Sequence, residues 1–286
     1  MSDFSGVLLK RAQFFANTFW LALILSLFGL LHEAQASFEP GKWPCAFLAR
    51  GSSGIAVSHL QNGFVVNPAL LTGMRSNSLG VFYRNYYAIS DLNDFNLTVR
   101  FRLFNVPLGF SFGQFGDKRY REQTAVWAAG WPLGDKLSFG AAVQIFLLNI
   151  KRYGRSVAVG SLVALRYKIS AKWRVAAVAG NLNEPRLNGR TGDIPVYFST
   201  GLEFKPHKRF SLSWDIFKDE RFPFDFRYGL GYLLFPSIEV LVGFRQQVHT
   251  FTAGIQIRKT MIRFAYALEV HPDLGVSNAI EVNYVF

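Results

Sequence analysis

The chain closes on Ala279-Ile280-Glu281-Val282-Asn283-Tyr284-Val285-Phe286, in which bulky apolar side chains alternate with small or polar ones. Residues two apart in an extended chain share a face, so Ile280, Val282, Tyr284 and Phe286 form one apolar stripe. A final strand that ends on an aromatic, with a lipid-ready face, is how bacterial outer-membrane barrels finish. Soluble sandwiches also alternate, so the weight falls on whether the pattern repeats upstream.

It does repeat. Candidate strands lie near 77–86, 94–104, 108–115, 124–131, 137–149, 156–169, 173–182, 196–205, 210–217, 224–234, 238–246, 250–258, 261–270 and 278–286. Most approach the roughly 9–11 residues that a tilted strand needs to cross a bilayer. In 94–104, Leu97, Val99, Phe101 and Leu103 alternate with Asn96, Thr98, Arg100 and Arg102. In 238–246, Ile238, Val240, Val242 and Phe244 alternate with Glu239, Leu241, Gly243 and Arg245. A soluble sandwich puts charges outside and shares one modest core between two sheets; this much apolar surface exceeds one interior. The expected fold is therefore all-β, a transmembrane antiparallel up-and-down β-barrel of about fourteen strands, or twelve, with lipid outside and a polar lumen. Counted back from Phe286, taken as periplasmic, longer connections (271–277, 218–223, 184–195) alternate with tight ones (259–260, 236–237, 206–209, 170–172, 134–136). Val248-His249 breaks that rule. An even strand count puts the N-terminus on the periplasmic side.

Half of the 286 residues are hydrophobic and 16% are aromatic, with 29 Phe. Lys10 and Arg11, the apolar run Phe19 to Leu31 and the small-residue site Ala34-Gln35-Ala36 read as a secretory signal over residues 1–36, a retained anchor being the alternative. A single cysteine, Cys45, leaves no intramolecular disulfide framework. The formal charge is +12. Lys118, Arg119, Arg121, Lys151, Arg152 and Arg155 fall in the expected external loops, where outer-membrane lipid and lipopolysaccharide would attract them. The cations are scattered and no nucleic-acid motif is present, so no nucleic-acid partner is expected.

Residues 37–75 do not alternate and carry Gly51, Gly54, Gly63 and Gly73 among apolar residues such as Phe47, Ile55, Phe64 and Leu71. A barrel this wide is not filled by its own side chains. The segment 37–75 is thus expected to be a hatch in the lumen, ahead of a barrel over 76–286. A periplasmic tail is the alternative, and the apolar content argues against it.

Ala49-Arg50-Gly51-Ser52-Ser53-Gly54-Ile55-Ala56, then Asn67-Pro68-Ala69-Leu70-Leu71, and late in the chain His271-Pro272-Asp273-Leu274-Gly275, resemble FadL-like outer-membrane proteins, most closely the PorV/PorQ branch. Gln61-Asn62 stands where that group often has an acidic pair, Leu70 where Gly is common, and the chain is short for the group. The resemblance implies a hatch built on Arg50, Gly51, Gly54, Asn67, Pro68 and Ala69. It further implies either passive movement of hydrophobic molecules with a lateral exit or, in the PorV/PorQ manner, service to a secretion-machinery protein.

By alternation Arg84, Arg100, Arg102, Arg166, Lys168, Arg227, Arg245 and Arg263 point into the lumen, with Glu203, Asp215, Asp225, Glu239, Glu269 and Glu281. The arginines either form a path for an amphipathic carboxylate, which guanidinium holds in a bidentate fork, or pair with the acids and brace wall and hatch. Pro107, Gly109 and Gly113 weaken the third strand and suggest a lateral gap there, packing against the hatch being the alternative. The five His are dispersed and no nucleophile, metal or phosphate motif is visible, so neither catalysis nor a cofactor is expected. A hydrophobic small molecule is the expected ligand.

Overall fold

The closing alternation is built into β14 (Gly275–Val285): Ala279, Glu281, Asn283 and Val285 are buried on the inner face, while Ile280, Val282 and Tyr284 stand exposed outside. This computed structural model describes residues 38, 39, 44–187 and 194–286; the expected signal, 1–36, lies outside the described residues. The same period of two runs through β1 (Ser78–Asn85), β2 (Asn93–Leu103), β3 (Val106–Gly116), β4 (Tyr120–Leu133), β5 (Leu137–Ile150), β6 (Gly154–Lys168) and β7 (Trp173–Gly180). It continues in β8 (Tyr197–Phe204), β9 (Phe210–Asp219), β10 (Asp225–Phe235), β11 (Ile238–Arg245), β12 (Thr250–Arg258) and β13 (Ile262–His271). Each strand pairs antiparallel with its sequence neighbours, and β1 pairs with β14, Ser78 opposite Val285, to close a fourteen-stranded barrel. Strand ends lie within two residues of expectation except the starts of β4 and β14, the latter at Gly275 instead of 278. β4 is longer than 124–131, and β7 stops at Gly180.

One end of the barrel holds only tight turns. At the other, the loops over 86–92 and 181–196 are long, but 117–119, 151–153 and 272–274 are as tight as their counterparts. The asymmetry read from the sequence therefore rests on two loops. We call the two ends the short-turn and long-loop ends.

The lumen is filled by the chain that precedes β1. α1 (Cys45–Leu48) and two 3-10 turns, Gly63–Val65 and Pro68–Gly73, are joined by irregular backbone. Their apolar side chains share one core with small or aliphatic inward residues of the wall, among them Ala128, Ala142, Leu162, Leu241 and Ala267. Glycines let backbone meet backbone. A Cβ on Gly140 would lie 2.1 Å from the amide nitrogen of Ala69, and one on Gly243 2.1 Å from that of Gly51. The segment runs the length of the lumen: Phe38 N–H donates to Glu122 near the long-loop end (3.1 Å), and Arg102 donates to the Met74 carbonyl near the short-turn end (3.0 Å). Strand parity fixes the start of β1 at the short-turn end. It says nothing of Phe38, which lies at the other.

The Asn67-Pro68-Ala69 motif has a local explanation. The Asn67 side chain accepts from Ala69 N–H (2.9 Å) and donates to the Ile55 carbonyl (2.7 Å), tying two turns together while capping the second. Pro68, at the first position of that turn, gives up an amide that needs no partner. Asn67 is fully buried, so Asn67→Leu strands a carbonyl and an amide. It is expected to cost about 1–3 kcal/mol in urea unfolding from lipid vesicles.

Candidate functional site

The segment is fastened to the wall by charge. Arg50 donates to Glu239 (2.7 Å), both side chains almost fully buried, and the second Glu239 oxygen takes Arg258. Gly51 N–H donates to the Thr252 hydroxyl (2.8 Å), which donates to the Ala49 carbonyl (2.9 Å). Gly51 has φ +67°, a left-handed backbone that favours glycine. Asp215 accepts from the amides of Gly54 (2.7 Å) and Ile55 (3.1 Å), and Glu281 from Cys45 N–H (2.8 Å) and the Asn62 amide (2.7 Å).

The arginines expected in the lumen all face it, and each has a partner. Arg166 donates to the Ala56 carbonyl (3.2 Å), Arg263 to Gln61 (2.5 Å), Arg102 to Met74 and Arg100 to the Ser78 hydroxyl (2.9 Å). Arg84 pairs with Glu269, and Arg227 (2.7 Å) and Arg245 (3.3 Å) share Asp225. Arg166, Arg263 and Arg102 brace wall to segment, whereas Arg84, Arg100, Arg227 and Arg245 chiefly brace one strand to another.

Above the segment, at the long-loop end, lies a cavity of about 300 Å³. Leu48 and Ser52 form part of its lining together with Tyr86, Tyr87, Phe217 and Phe222. The Arg84 guanidinium carbon sits 3.9 Å from the Tyr86 ring centre, and that of Arg227 4.0 Å from Phe217, so aromatic faces cover the paired charges. Burial pushes the Tyr86 phenol well up and that of Tyr87 up, so both are neutral at physiological pH. The chamber thus combines aromatic rings with ion-paired charges.

A second cavity, of about 50 Å³, lies across the mouth; Glu39 lines both. Phe38 and Phe146 line the smaller one, edge to face with ring centres 5.0 Å apart. Here, among the described residues, the strand ladder is incomplete. β5 and β6 pair up to Ile150 and Gly154, but β7 pairs with β6 only from Gly180 opposite Leu162 downward. Beyond that point the 154–161 edge meets loop residues: Asn181 N–H donates to the Ser161 carbonyl and the Asn183 amide to that of Val159, each 2.6 Å. Phe38, Phe146, Ala158, Leu187 and Ile194 pack as a separate apolar cluster behind this notch.

The third strand carries no such notch. β3 pairs with β2 from Val106 to Phe115 and with β4 from Leu108 to Gly116, so the ladder passes through Gly109 and Gly113 unbroken, and Pro107 still faces Arg102. The lateral gap expected there is corrected: a Cβ on Gly109 would lie 2.6 Å from the Phe64 ring, so this glycine makes room for the segment. Sequence reasoning missed Phe38, Ala158 and Ile194. The available signal was the mismatch between a long β6 and a short β7 followed by a long connection.

No family model and no curated protein matches the sequence. Solved structures do match it. The Ralstonia pickettii toluene transporter TbuX aligns with TM-score 0.66 at 13% identity, over 87% of this chain and 100% of that one. The monoaromatic hydrocarbon channel CymD gives 0.63 at 15%, over 87% and 99%. The Pseudomonas putida toluene transporter TodX gives 0.61 at 12%, over 87% and 98%. At these identities the likeness is one of fold.

Proposed function

We propose that the protein is an outer-membrane channel of the FadL-like kind, through which small hydrophobic or amphipathic compounds pass without energy input. In this reading residues 1–36 are the export signal, 37–75 the hatch and 76–286 the wall, with the long-loop end outside the cell. The observation that carries it is the notch between β6 and β7. Its upper part is filled by apolar side chains and a few loop hydrogen bonds instead of a continuous ladder, so an apolar solute crosses there by displacing an apolar cluster at the cost of few hydrogen bonds. The aromatic chamber offers a capture site, and the braced segment bars the straight route to the periplasm. That barrels of the same fold are named for toluene and monoaromatic hydrocarbons supports this substrate class. No covalent step is involved.

The test is flux of a hydrophobic dye, N-phenylnaphthylamine, into proteoliposomes. An aromatic pair contributes about 0.5–1.5 kcal/mol, so Phe38→Ala is expected to raise the open fraction, and the flux, roughly twofold to tenfold. Ala158→Trp, which fills the notch, is expected to lower it. If both variants match the natural protein, the notch is no exit. A second reading, a PorV/PorQ-like accessory of secretion with a closed lumen, draws on the buried braces that hold the segment. Flux indistinguishable from protein-free vesicles, with a polypeptide co-purifying, would favour it.

A further inference from the structure

The formal charge of +12 is not shared evenly between the ends. At the long-loop end acids accompany many of the cations: Lys118 and Arg119 follow Asp117, and Lys218 and Arg221 flank Asp219 and Glu220, while Lys151, Arg152 and Arg155 stand without one beside them in the sequence. At the short-turn end Arg75, Lys136, Lys172, Lys208, Arg209 and Lys259 are all exposed, and Asp135 is the one exposed acidic side chain among the described residues there. Among the described residues none of these six cations pairs with a carboxylate. The cations expected in external loops do lie at the long-loop end, with Lys118, Arg119, Lys151, Arg152 and Arg155 exposed; the short-turn end carries a second set with almost no acids beside it.

These cations come from turns spaced around the closed strand order, so they form a ring. Within it like charges are brought together. Lys168 N–H donates to the Lys136 carbonyl and Lys205 N–H to the Lys172 carbonyl, each 2.8 Å, which sets lysines side by side on adjoining turns. Like charges so placed are unfavourable unless an anionic layer covers them. Next to the ring, on the outer wall, runs an aromatic girdle. Trp131 stacks with Phe139 (5.7 Å between ring centres), Trp173 with Phe204 (4.1 Å), Phe210 packs on Tyr232 (4.7 Å) and Tyr284 stacks with Phe286 (5.8 Å). Such girdles mark the membrane–water interface, which puts lysine ammoniums just beyond it at headgroup depth.

We propose that this ring is a collar that binds anionic phospholipid headgroups of the phosphatidylglycerol type in the leaflet at the short-turn end. A lipid plane meets the whole circumference, whereas an acidic protein domain covers one sector; the annular spread favours the lipid. Placing that leaflet on the periplasmic side rests on the orientation proposed above.

The experiment uses the mature protein in phosphatidylcholine vesicles doped with brominated phosphatidylglycerol, or the reverse, and reads tryptophan quenching. Trp131 and Trp173 are the reporters at this end. One basic residue near the surface is worth roughly a fivefold gain in association with anionic lipid. A preference of at least that size is expected, falling as salt is added. The variant Lys136→Gln, Lys172→Gln, Lys208→Gln and Lys259→Gln is expected to lose it, while Lys118→Gln, Arg119→Gln, Lys151→Gln and Arg152→Gln at the other end retains it. Heat-dependent gel migration confirms that each barrel is folded. No anionic preference in the natural protein, or equal loss in both variants, overturns the collar. Absence of lipid preference with binding of polyglutamate that needs the four lysines would instead assign the ring to an acidic polypeptide, and also overturns it. Dye flux in the same vesicles reports separately on the channel reading.

Discussion

Gly243→Val is expected to yield a barrel whose lumenal segment has left its seat. The added Cβ would fall 2.1 Å from both the Arg50 carbonyl carbon and the Gly51 amide nitrogen. These are backbone atoms held by the Arg50–Glu239 pair and the Thr252 hydroxyl, so no side-chain rotation relieves the clash. Overpacking of a yielding core costs about 1–3 kcal/mol, and an unyielding contact lies at or above the top of that range. Planar-bilayer recording should show ion conductance well above that of the natural protein, and a protease added to the folded barrel should cut near Arg50. Val240→Leu, on the outer face of the same strand, should change neither. Natural conductance and protection in Gly243→Val would refute the backbone-to-backbone contact.

Glu239→Gln should cost the folded state about 3–5 kcal/mol, the usual consequence of removing one partner of a buried ion pair. Glutamine keeps the shape but leaves Arg50, with 1% of its side chain exposed, without a counter-charge. Arg258 is less affected, because its side chain is 28% exposed and turns to water. The double variant Arg50→Met, Glu239→Leu should recover most of the loss, since a well-packed apolar pair often equals a buried ionic one. Urea unfolding from vesicles measures all three. Equal stability of Glu239→Gln and the natural protein would mean the brace carries no load.

The wall was legible because period-two alternation is a one-dimensional signal. Leu97, Val99 and Phe101 outside and Thr98 and Arg100 inside need no knowledge of what lies across the lumen. The ends of β4 and β7 were less legible, because they depend on neighbours: Tyr120 is strand because Ile150 pairs with it, and Gly180 is the last rung against Leu162. Site chemistry was partly legible. Alternation identified Glu239 and Arg227 as inward, but their partners are Arg50 and Asp225, and for Arg50–Glu239 that pairing is set by how a segment without periodicity threads the lumen. Gly109 misled for the same reason. A glycine in a strand signals close approach or a break, and only the position of Phe64 tells which.

The path of the chain between Phe38 and Ser78 has a kinetic consequence. It traverses the lumen before the first strand begins, and the seam that seals the wall joins Ser78 to Val285, the two most distant rungs in the sequence. A contact of such separation pays the largest loop-closure entropy and forms late. The wall must therefore curl around its own leading segment, with the β1–β14 seam as the final event. The segment is then a mandrel on which the barrel is wound, and damage to its seat should slow assembly before it alters anything in the finished protein.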